Sequence, residues 1–475
     1  MKKIRRLAAF AGFLAVLIAV LSVNSALLEQ KYSKAVMGGF YELEEDSVDV
    51  IFAGSSHMLN GVLPMKLWEN YGFTSYNIGQ HGQRLNMTYY YIKEAIKKQH
   101  PKVVVVDLYY AFESQINDDA ANLHKSVDNL QWGASKIGAI MNAAPKSLRL
   151  ELFYNMFLYH TRWNELEKED FLYLTERPYN NTGGTELRWG NVEFTSPNVI
   201  PADQTKELTE DTVEALEKIV NLAAKNNVEL VFTVFPYIAA DDYQACYNMA
   251  GQILQAAGQH YINLMYHMDE LGIDFSKDFY DSEHLNPAGA AKVTDYFGRY
   301  LKDHFQLEDN RQNTDYAGWY TMLERYEREV IAGKTGAEGN PITYLSYLSD
   351  PEYAVGIVIK PDQMAIGEEV MGALGDLGID TEELVHRDNN YVCMIDGGKI
   401  LVDDSTEAPQ AAYTQELGGI AWEITCGSDI ASVMIDLREW ALNKESINIV
   451  VYDKVLQKVV DSVCITNDGQ QLIRK

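Results

Sequence analysis

The feature of this sequence that most constrains its fold is an alternation of short apolar runs and amphipathic segments between residues 50 and 301. The apolar runs lie at 50–53, 75–78, 103–107, 228–235 and 261–265. Segments with a helical spacing of apolar residues lie at 85–98, 211–225 and 244–257, and a last helix opens at residues 286–287. Strands that are buried on both faces appear as continuous apolar runs. The alternation therefore predicts an α/β fold, in which a parallel sheet is flanked by helices.

The N-terminal segment predicts a membrane anchor. Four basic residues within the first six precede an apolar stretch that extends to about Leu28, which is long enough for a helix to span a bilayer. Acidic residues follow the stretch, so we expect residues 1–28 to form a single pass through the cell membrane, with a cytoplasmic N-terminus and an extracytoplasmic body. The alternative is a cleaved signal peptide, because small residues are concentrated at 23–26.

The length of the chain, 475 residues, exceeds what one hydrophobic core usually serves, so we expect two folded units after the anchor. The expected boundaries are an α/β domain at 46–307 with a helical insertion at 112–198, a helical linker at 308–340, and a smaller C-terminal α+β domain at 341–475. Strands of the second domain are predicted at 355–359, 420–425, 433–437 and 447–452.

Charge and cysteine content exclude some classes of function. The formal net charge is -28, and basic residues cluster only at the N-terminus, so a nucleic-acid-binding surface is not expected. The four cysteines, Cys246, Cys393, Cys426 and Cys464, lack paired spacing, which gives no support for a zinc or redox site. A disulfide among the last three remains open at this point.

Two short polar segments carry the strongest chemical signal. Gly-Ser-Ser-His at 54–57 directly follows the first apolar run, and Asp-Ser-Glu-His at 281–284 directly precedes the last helix. Both positions fall at the carboxyl ends of strands in a parallel sheet. A serine hydroxyl needs an imidazole to accept its proton, and the imidazole needs a carboxylate to hold it in the correct tautomer. Ser56, His284 and Asp281 supply these three groups.

The spacing of the second segment makes the acid and base neighbours. A carboxylate three residues before His284 can reach its Nδ1 atom, which leaves Nε2 free to face a serine on another loop. Ser55 is a second candidate nucleophile, although Ser56 lies nearer to the start of the following helix. His57 adjoins the serine but cannot easily face it, so we interpret His57 as a residue that lines the site and contacts substrate.

These segments resemble the conserved blocks of the SGNH/GDSL hydrolase superfamily: the Gly-Ser-Ser block at 54–56, a glycine block at 79–82 and the Asp-x-x-His block at 281–284. The Gly-Ser-Ser form behind an N-terminal anchor is similar to the branches that act in teichoic-acid D-alanylation and alginate O-acetylation. The resemblance covers about residues 46–307 and implies the SGNH hydrolase fold, with a flavodoxin-like parallel sheet. It also implies an oxyanion hole formed by backbone N–H groups of Ser56 and of Gly79 or Gly82.

The sequence departs from the family at the third block. An asparagine is expected after the third strand, but the strand at 103–107 continues into Leu-Tyr-Tyr. The side-chain oxyanion donor is therefore unassigned: Asn60, Asn77 or His160 could replace it, or backbone donors could act alone. His160 also belongs to a cluster with Arg162 and Trp163, which we interpret as candidate substrate-binding residues, because arginine binds anions and tryptophan stacks on sugars. Helix packing with flanking surface charges explains this cluster equally well.

The resulting expectation is a serine-dependent O-acyltransferase or esterase that needs no metal or organic cofactor. Its substrates would be acetyl or D-alanyl groups on a cell-surface polysaccharide or a teichoic-acid-like polymer. The resemblance further implies a polytopic membrane O-acyltransferase as partner. The alternative hypothesis is a catalytically inactive SGNH scaffold that binds glycans or assists assembly of the cell envelope, and the missing asparagine is its best support.

Overall fold

The chain divides into two compact units, Met1–Glu324 and Arg325–Lys475. The computed structural model describes residues 2–29, 35–175, 182–361, 366–384 and 388–474. Within these residues the first unit is an α/β structure, and the second contains antiparallel sheets with a few helices.

The first unit is built on a five-stranded parallel sheet with the order β2-β1-β3-β4-β5. Its strands are β1 (Val50–Ala53), β2 (Ser75–Asn77), β3 (Val103–Asp107), β4 (Glu229–Val234) and β5 (His260–Asn263). Every residue of β1 and β3 is buried, as their continuous apolar sequence requires. The predicted parallel sheet is confirmed, and its order is the doubly wound one of flavodoxin-like sheets.

Helices pack around this sheet and occupy the loops between its strands. The helices of the first unit are α1 (Lys2–Leu28), α2 (Ala35–Glu42), α3 (Ser56–Gly61), α4 (Pro64–Tyr71), α5 (Leu85–Gln99), α6 (Ala120–Val127), α7 (Ala134–Asn142), α8 (Arg149–Phe153), α9 (Met156–Tyr159), α10 (Lys168–Leu172), α11 (Glu210–Asn226), α12 (Asp241–Ala256), α13 (Met268–Leu271) and α14 (Pro287–His304). The four helices expected from periodicity correspond to α5, α11, α12 and α14, with ends that differ by no more than three residues.

The start of α14 is fixed by its own sequence. Asn286 precedes the helix, and its side chain accepts hydrogen bonds from the N–H groups of Ala288 and Gly289. Pro287 occupies the first helical position, where a missing N–H costs nothing. The amide of Asn286 also donates to the carbonyl of Lys277 at 2.7 Å. The loop that carries Asp281 and His284 is thus fastened at its end.

The predicted helical insertion at 112–198 is helical only in part. Helices α6 to α10, with a 3₁₀ turn at His160–Asn164, occupy residues 120–172. From residue 182 to 198 the chain has neither helix nor strand. This extended segment lies beside the loops of the sheet: the N–H of Asn77 donates to the carbonyl of Gly183, and the N–H of Val192 donates to that of Phe279.

One helix among the described residues, α1, is long and apolar enough to span a membrane, with a mean hydropathy of 2.3 over its best window. Its side chains between Ile4 and Val23 include many exposed apolar groups. In water such a surface is unfavourable, whereas in a bilayer it is the expected one.

The second unit contains two antiparallel sheets and two buried cores. The six-stranded sheet has the order β15-β14-β13-β6-β7-β8, and the four-stranded sheet has the order β12-β11-β10-β9. The strands are β6 (Tyr353–Ile359), β7 (Asn390–Asp396), β8 (Lys399–Thr406), β9 (Gln410–Leu417), β10 (Ile420–Gly427), β11 (Ile430–Ile435), β12 (Arg438–Glu439), β13 (Ile447–Asp453), β14 (Lys458–Ile465) and β15 (Leu472–Arg474). The helices are α15 (Ala317–Ala337), whose residues from Arg325 belong to this unit, α16 (Pro341–Tyr347), α17 (Glu368–Asp376) and α18 (Thr381–Leu384).

One core of this unit joins the large sheet to helices, and the other joins it to the small sheet. Tyr344 and Val370 of the helices pack with alternate residues of β6, such as Val355. On the opposite face, Trp422 and Val433 of the small sheet pack with Val358. The large sheet is therefore buried on both faces.

The cysteines are not paired. All four are free and buried, and burial raises the pKa of Cys393 to about 12 and that of Cys426 to about 11. The disulfide left open among the last three is therefore not formed, and these thiols pack as small apolar groups.

Candidate active site

The two segments singled out in the sequence meet at the carboxyl edge of the parallel sheet. Ser56 is the first residue of α3, directly after β1, and His284 lies in the loop before α14. The Oγ atom of Ser56 is 2.8 Å from Nε2 of His284, although the two residues are 228 positions apart. Ser56 is 7% exposed, so its hydroxyl lies in a largely dry environment that still opens to solvent.

Asp281 holds the other side of the His284 ring. Nδ1 of His284 is 2.9 Å from both carboxylate oxygens of Asp281. An ionised carboxylate can only accept hydrogen bonds, so Nδ1 of His284 carries the proton. The lone pair of Nε2 then faces the Ser56 hydroxyl. Burial alone would raise the pKa of Asp281, but the hydrogen bonds that it accepts from the N–H of Glu283 and from His284 hold that pKa below its ordinary value. Asp281 is therefore ionised at neutral pH.

The loop that carries the serine is fastened by Asp107, a residue that the sequence reasoning missed. Asp107 ends β3, and its Oδ2 atom accepts hydrogen bonds from both the N–H and the hydroxyl of Ser55. Gly54 has φ +155°, and a Cβ atom there would overlap the side chain of Asp107. Ser55 in turn accepts from the N–H of His57 and caps α3. Ser55 is thus committed to structure, and Ser56 is the serine that faces the histidine.

Asp107 is fully buried, and its hydrogen-bond partners among the described residues include no cationic side chain. Burial raises the pKa of its carboxyl to about 6, against the opposing effect of the hydrogen bonds from Ser55 and from the N–H of Tyr109. The sequence did contain a signal for it: a carboxylate that ends an otherwise apolar strand is costly to bury and is kept where it has a partner.

His57 lines the site as a neutral ring. It is 3% exposed, and its ring stacks on that of Tyr109 with centroids 3.9 Å apart. Its ring centroid is 5.5 Å from that of His284. Burial, and to a lesser degree the charge of His284, lower the pKa of His57 well below its ordinary value, so the ring is neutral at pH 7. Its Nε2 atom is buried without a hydrogen-bond partner, which leaves a polar atom available at the site.

The structure narrows the set of oxyanion donors. The N–H of Gly79 donates to Oδ1 of Asn77 at 2.9 Å, so it is already engaged within its own turn. The amide of Asn77 donates to the carbonyl of Met58 at 2.7 Å, and that of Asn60 donates to the carbonyl of Glu186 at 2.7 Å. These asparagines brace α3. The N–H of Ser56 belongs to the first turn of α3, where helix geometry provides no acceptor.

Gly82, the other glycine of the second block, occupies a tight turn. Its φ is +66°, and an added Cβ would lie 2.8 Å from Cγ of Asn122. The conformation and the crowding both require glycine there.

A charged cluster beside the site was also missed by the sequence reasoning. Nε2 of His81 is 2.8 Å from the carboxylate of Glu186, and the guanidinium of Arg188 is 2.8 Å from the same carboxylate. Burial would raise the pKa of Glu186, but the hydrogen bond from His81 and the charges of His81, Arg188 and His284 lower it. Arg188 also lies over the ring of Tyr280, 5.6 Å from its centroid. Sequence periodicity could not predict this cluster, because residues 182–192 form neither a helix nor a strand.

The candidate substrate-binding residues of the insertion contact the end of α1. Arg162 donates to the carbonyls of Leu28 and Glu29 at 2.6 and 2.8 Å and pairs with Asp170. His160 is exposed and bonds through Nδ1 to the carbonyl of Phe157. Trp163 is 72% exposed. The described contacts of Arg162 thus serve the junction between α1 and the insertion, and none of them joins it to Ser56.

Within the described residues, His57, Glu283 and His284 form one group whose potential metal-ligand atoms lie within 4.8 Å of one another. Two imidazoles and a carboxylate are a donor set that zinc accepts. The same His284 is engaged by Ser56 and Asp281, so the group overlaps the arrangement described above.

Comparisons with known proteins add no identification. No protein-family model matches the sequence, and no curated protein matches it. The functional assignment therefore depends on the geometry of the site and on the motifs.

Proposed function

We propose that this chain is a membrane-anchored, extracytoplasmic serine enzyme of the SGNH/GDSL type that transfers or hydrolyses acyl esters on a cell-surface polymer. The observation that carries the proposal is the hydrogen-bonded series from Asp281 through His284 to Ser56, with distances of 2.9 and 2.8 Å. Three polar groups from two distant segments converge in the order that nucleophilic catalysis requires.

In the first half of the reaction Ser56 is the nucleophile. Its Oγ atom attacks the carbonyl carbon of an acyl ester while Nε2 of His284 takes the hydroxyl proton. Asp281 stabilises the imidazolium through Nδ1. The negative charge on the former carbonyl oxygen is met by the N–H of Ser56. His284 then returns the proton to the departing alcohol, and the acyl group stays on Ser56.

In the second half, a hydroxyl group of the polymer or a water molecule attacks the acyl-serine. His284 accepts the proton of the attacking hydroxyl and delivers it to Oγ of Ser56 as the ester bond breaks. A polymer hydroxyl gives acyl transfer, and water gives hydrolysis. Acetyl and D-alanyl groups are the acyl groups expected from the resemblance.

The third block of the resembled family is where this chain differs. The last residue of β3, Asp107, lies against Ser55, and the segment after β3 places the Tyr109 ring against His57 without supplying an asparagine side chain to the site. We therefore propose that the oxyanion is stabilised by backbone N–H groups, with that of Ser56 as the first donor. Gly79 could contribute only if its bond to Asn77 is broken.

The remaining elements of the proposal concern location and partners. Basic residues before α1 favour a cytoplasmic N-terminus, so the body would face outward, where surface polysaccharides or teichoic-acid-like polymers are found. A polytopic membrane O-acyltransferase would supply acyl groups from inside the cell. We assign contacts with the polymer to the charged group of Glu186 and Arg188, because these two residues pair with each other and the charge of His284 acts on Glu186.

The test is covalent labelling of the full-length protein in detergent with a fluorophosphonate. Wild type is expected to label once per chain, and Ser56→Ala is expected to label at least ~10³-fold more slowly, because the nucleophile is lost. Intact mass and proteolytic peptides locate the adduct. A wild-type protein that binds no label, or a label on another residue, contradicts the proposal.

The alternative is an inactive SGNH scaffold that binds glycans or assists envelope assembly. The hydrogen bond from Gly79 to Asn77 favours it, because a backbone donor expected for the oxyanion is occupied. The same experiment separates the two functions: a scaffold retains its fold in the Ser56→Ala variant, and neither protein labels.

A further inference from the structure

A cleft in the first unit lies between the end of α1 and the insertion, and its lining does not include Ser56. Its volume is about 760 Å³. One wall is formed by Ile18, Ser22 and Ser25 of α1 and by Glu29, which directly follows the helix. Another wall is aromatic, with Trp132 and the nearby Phe153 and Tyr154. A cleft of this size can hold a ligand of drug-like or lipid-head-group size.

The wall formed by α1 includes residues of the helix segment that is apolar enough to span a membrane. The lining residues Ile18, Ser22, Ser25 and Glu29 are spaced by four, three and four positions, so they share one face of the helix. Eleven residues at 1.5 Å each correspond to about 16 Å along the axis. The cleft therefore begins beside the apolar helix and ends beside the polar residues that follow it.

The helices that contact the end of α1 have the surface of a membrane-interface region. Helices α9 and α10 and the 3₁₀ turn between them all contact α1. They carry exposed aromatic side chains: Phe157 is 57% exposed, Trp163 is 72% exposed and Phe171 is 54% exposed. Aromatic residues concentrate at the level of the lipid head groups. This end of the cleft is thus expected to meet the bilayer surface.

Asp128 and Asn129, which we call the floor of the cleft, each have a side-chain oxygen that accepts no hydrogen bond from the residues that the structure describes. Asp128 and Asn129 line the cleft and are each 5% exposed. The Oδ2 atom of Asp128 is held by His124 and Tyr159, but its Oδ1 atom has no partner. The amide nitrogen of Asn129 donates to Gln80, but its Oδ1 atom also has no partner. Buried acceptors are normally satisfied, so a ligand that supplies donors fits this floor.

The chemistry of the floor selects the class of ligand. A phosphate group presents oxygen acceptors, so it cannot donate to the unpaired oxygens of Asp128 and Asn129. Lys136 also lines the cleft, with its ammonium 4.8 Å from the centroid of the Trp132 ring, so a phospholipid probe measures whether this cation binds a phosphate instead. Hydroxyl groups donate to both oxygens. The stacked pair of Trp132 and Phe153, with centroids 6.1 Å apart, adds the kind of flat apolar surface on which sugar rings pack.

We propose that this cleft binds the sugar head group of a membrane glycolipid, with the acyl chains lying along the Ile18 and Ser22 face of α1. Hydroxyls of the sugar donate to Asp128 and Asn129, and the aromatic wall packs against the ring. This site is separate from the Ser56 chemistry. Binding therefore occurs whether or not the protein is an enzyme.

Native mass spectrometry of the full-length protein released from detergent tests the assignment. The probes are monoglucosyl diacylglycerol, phosphatidylglycerol with the same acyl chains, and soluble methyl glucoside. Wild type is expected to retain one glucolipid per chain at least tenfold better than either other probe. Equal retention of the two lipids, a preference for phosphatidylglycerol, or equally tight binding of methyl glucoside overturns the proposal.

Two variants and one control locate the site. Asp128→Asn replaces the free acceptor by an amide of the same shape and is expected to weaken glucolipid retention at least tenfold. Ser22→Leu fills the α1 side of the cleft without adding a polar group and is expected to have a similar effect. Asp118→Asn, an exposed change on the same insertion, is expected to have none. Folding of each variant is checked by its thermal transition, and full retention in a folded Ser22→Leu protein contradicts the inference.

Discussion

Each unit buries an aspartate at the end of a central strand. One of these aspartates is bonded to a neutral serine, and the other is bonded to a cationic arginine. Asp107 ends β3 and Asp453 ends β13. In both, Oδ1 accepts backbone N–H groups from the turn that follows. The Oδ2 atom of Asp453 accepts from the guanidinium of Arg328, which also pairs with Asp350. The Oδ2 atom of Asp107 accepts from Ser55 instead.

On the proposed function, the difference separates a structural carboxylate from one that supports chemistry. The charge of Asp453 is matched by Arg328, so its burial is compensated within the fold. Asp107 has no cationic partner within the described part of the chain, and burial raises its pKa to about 6. The uncompensated carboxyl fastens the loop that presents Ser56. The buried carboxyl of Asp107 thus holds the loop of Ser56, the nucleophile under the proposed function, whereas the buried carboxyl of Asp453 holds an ion pair within the fold.

The largest expected effect concerns the other carboxylate of the first unit, Asp281. Asp281→Asn keeps the shape of the side chain but removes the charge that stabilises the His284 imidazolium and fixes its tautomer. We expect fluorophosphonate labelling of Ser56 to slow by ~10³–10⁴-fold at pH 7. The thermal transition should stay nearly unchanged, because the carboxylate is part-exposed. Labelling rates are measured by intact mass against time.

The matched control for this variant is Glu270→Gln. Glu270 lies three residues from His267, with its carboxylate 3.0 Å from Nδ1, so the pair has the same separation in sequence as Asp281 and His284. It should leave labelling within twofold of wild type. If both variants slow labelling alike, the loss reflects a general charge effect and not the role assigned to Asp281.

The sequence could predict those features of the fold and the candidate site that depend on residues close together in the chain. Strand and helix periods gave the parallel sheet, and the three-residue separation of Asp281 and His284 gave their pairing. The bond from Asp107 to Ser55 joins residues 52 positions apart, and that from His81 to Glu186 joins residues 105 apart. Neither has a periodic signal, because each depends on how loops meet at the sheet edge.

The cluster in the insertion had no such signal. The composition of residues 160–163 fits a recognition surface and helix packing equally well, and in the structure Arg162 donates to the carbonyls at the end of α1. A free helix end leaves carbonyl groups without partners, and a guanidinium is a suitable donor for them. Arginine and tryptophan side chains alone do not distinguish these two uses.

The second prediction applies to the compensated carboxylate. Arg328→Met leaves Asp453 buried and unpaired, so we expect the unfolding free energy of the second unit to fall by about 3–5 kcal/mol. Labelling of Ser56 should be unchanged. Denaturant unfolding monitored by circular dichroism measures the loss, with the two units fitted as separate transitions.

Lys458→Gln is the control for Arg328. It removes an exposed pair with Glu329 in the same unit and should cost less than about 1 kcal/mol. An Arg328→Met protein as stable as the Lys458→Gln protein would mean that Asp453 is not dependent on its ion pair, and the contrast with Asp107 would disappear.

The third prediction uses the pKa of Asp107. Its carboxyl ionises near 3.8 in the unfolded chain and near 6 in the folded protein. Between these values the folded state holds the extra proton, so the unfolding free energy falls as pH rises and then levels off above about pH 6. The contribution of this one group is up to about 3 kcal/mol. From pH 4 to pH 6 the unfolding free energy of wild type should therefore fall relative to that of Asp107→Asn, because the variant has no carboxyl to ionise at this position. A difference between the two proteins that is constant over this range contradicts the assignment.

The smallest effect is expected for the residue that joins Asp107 to the serine loop. Ser55→Ala removes the hydroxyl that donates to Asp107 and that caps α3 by accepting from the N–H of His57. The backbone N–H of Ser55 still reaches Asp107 at 3.1 Å, so we expect a loss of only about 1–2 kcal/mol. Labelling should slow by less than tenfold, since Ser56 and His284 remain. A Ser55→Ala protein that is folded but does not label would make Ser55 the nucleophile and reverse the roles of the two serines.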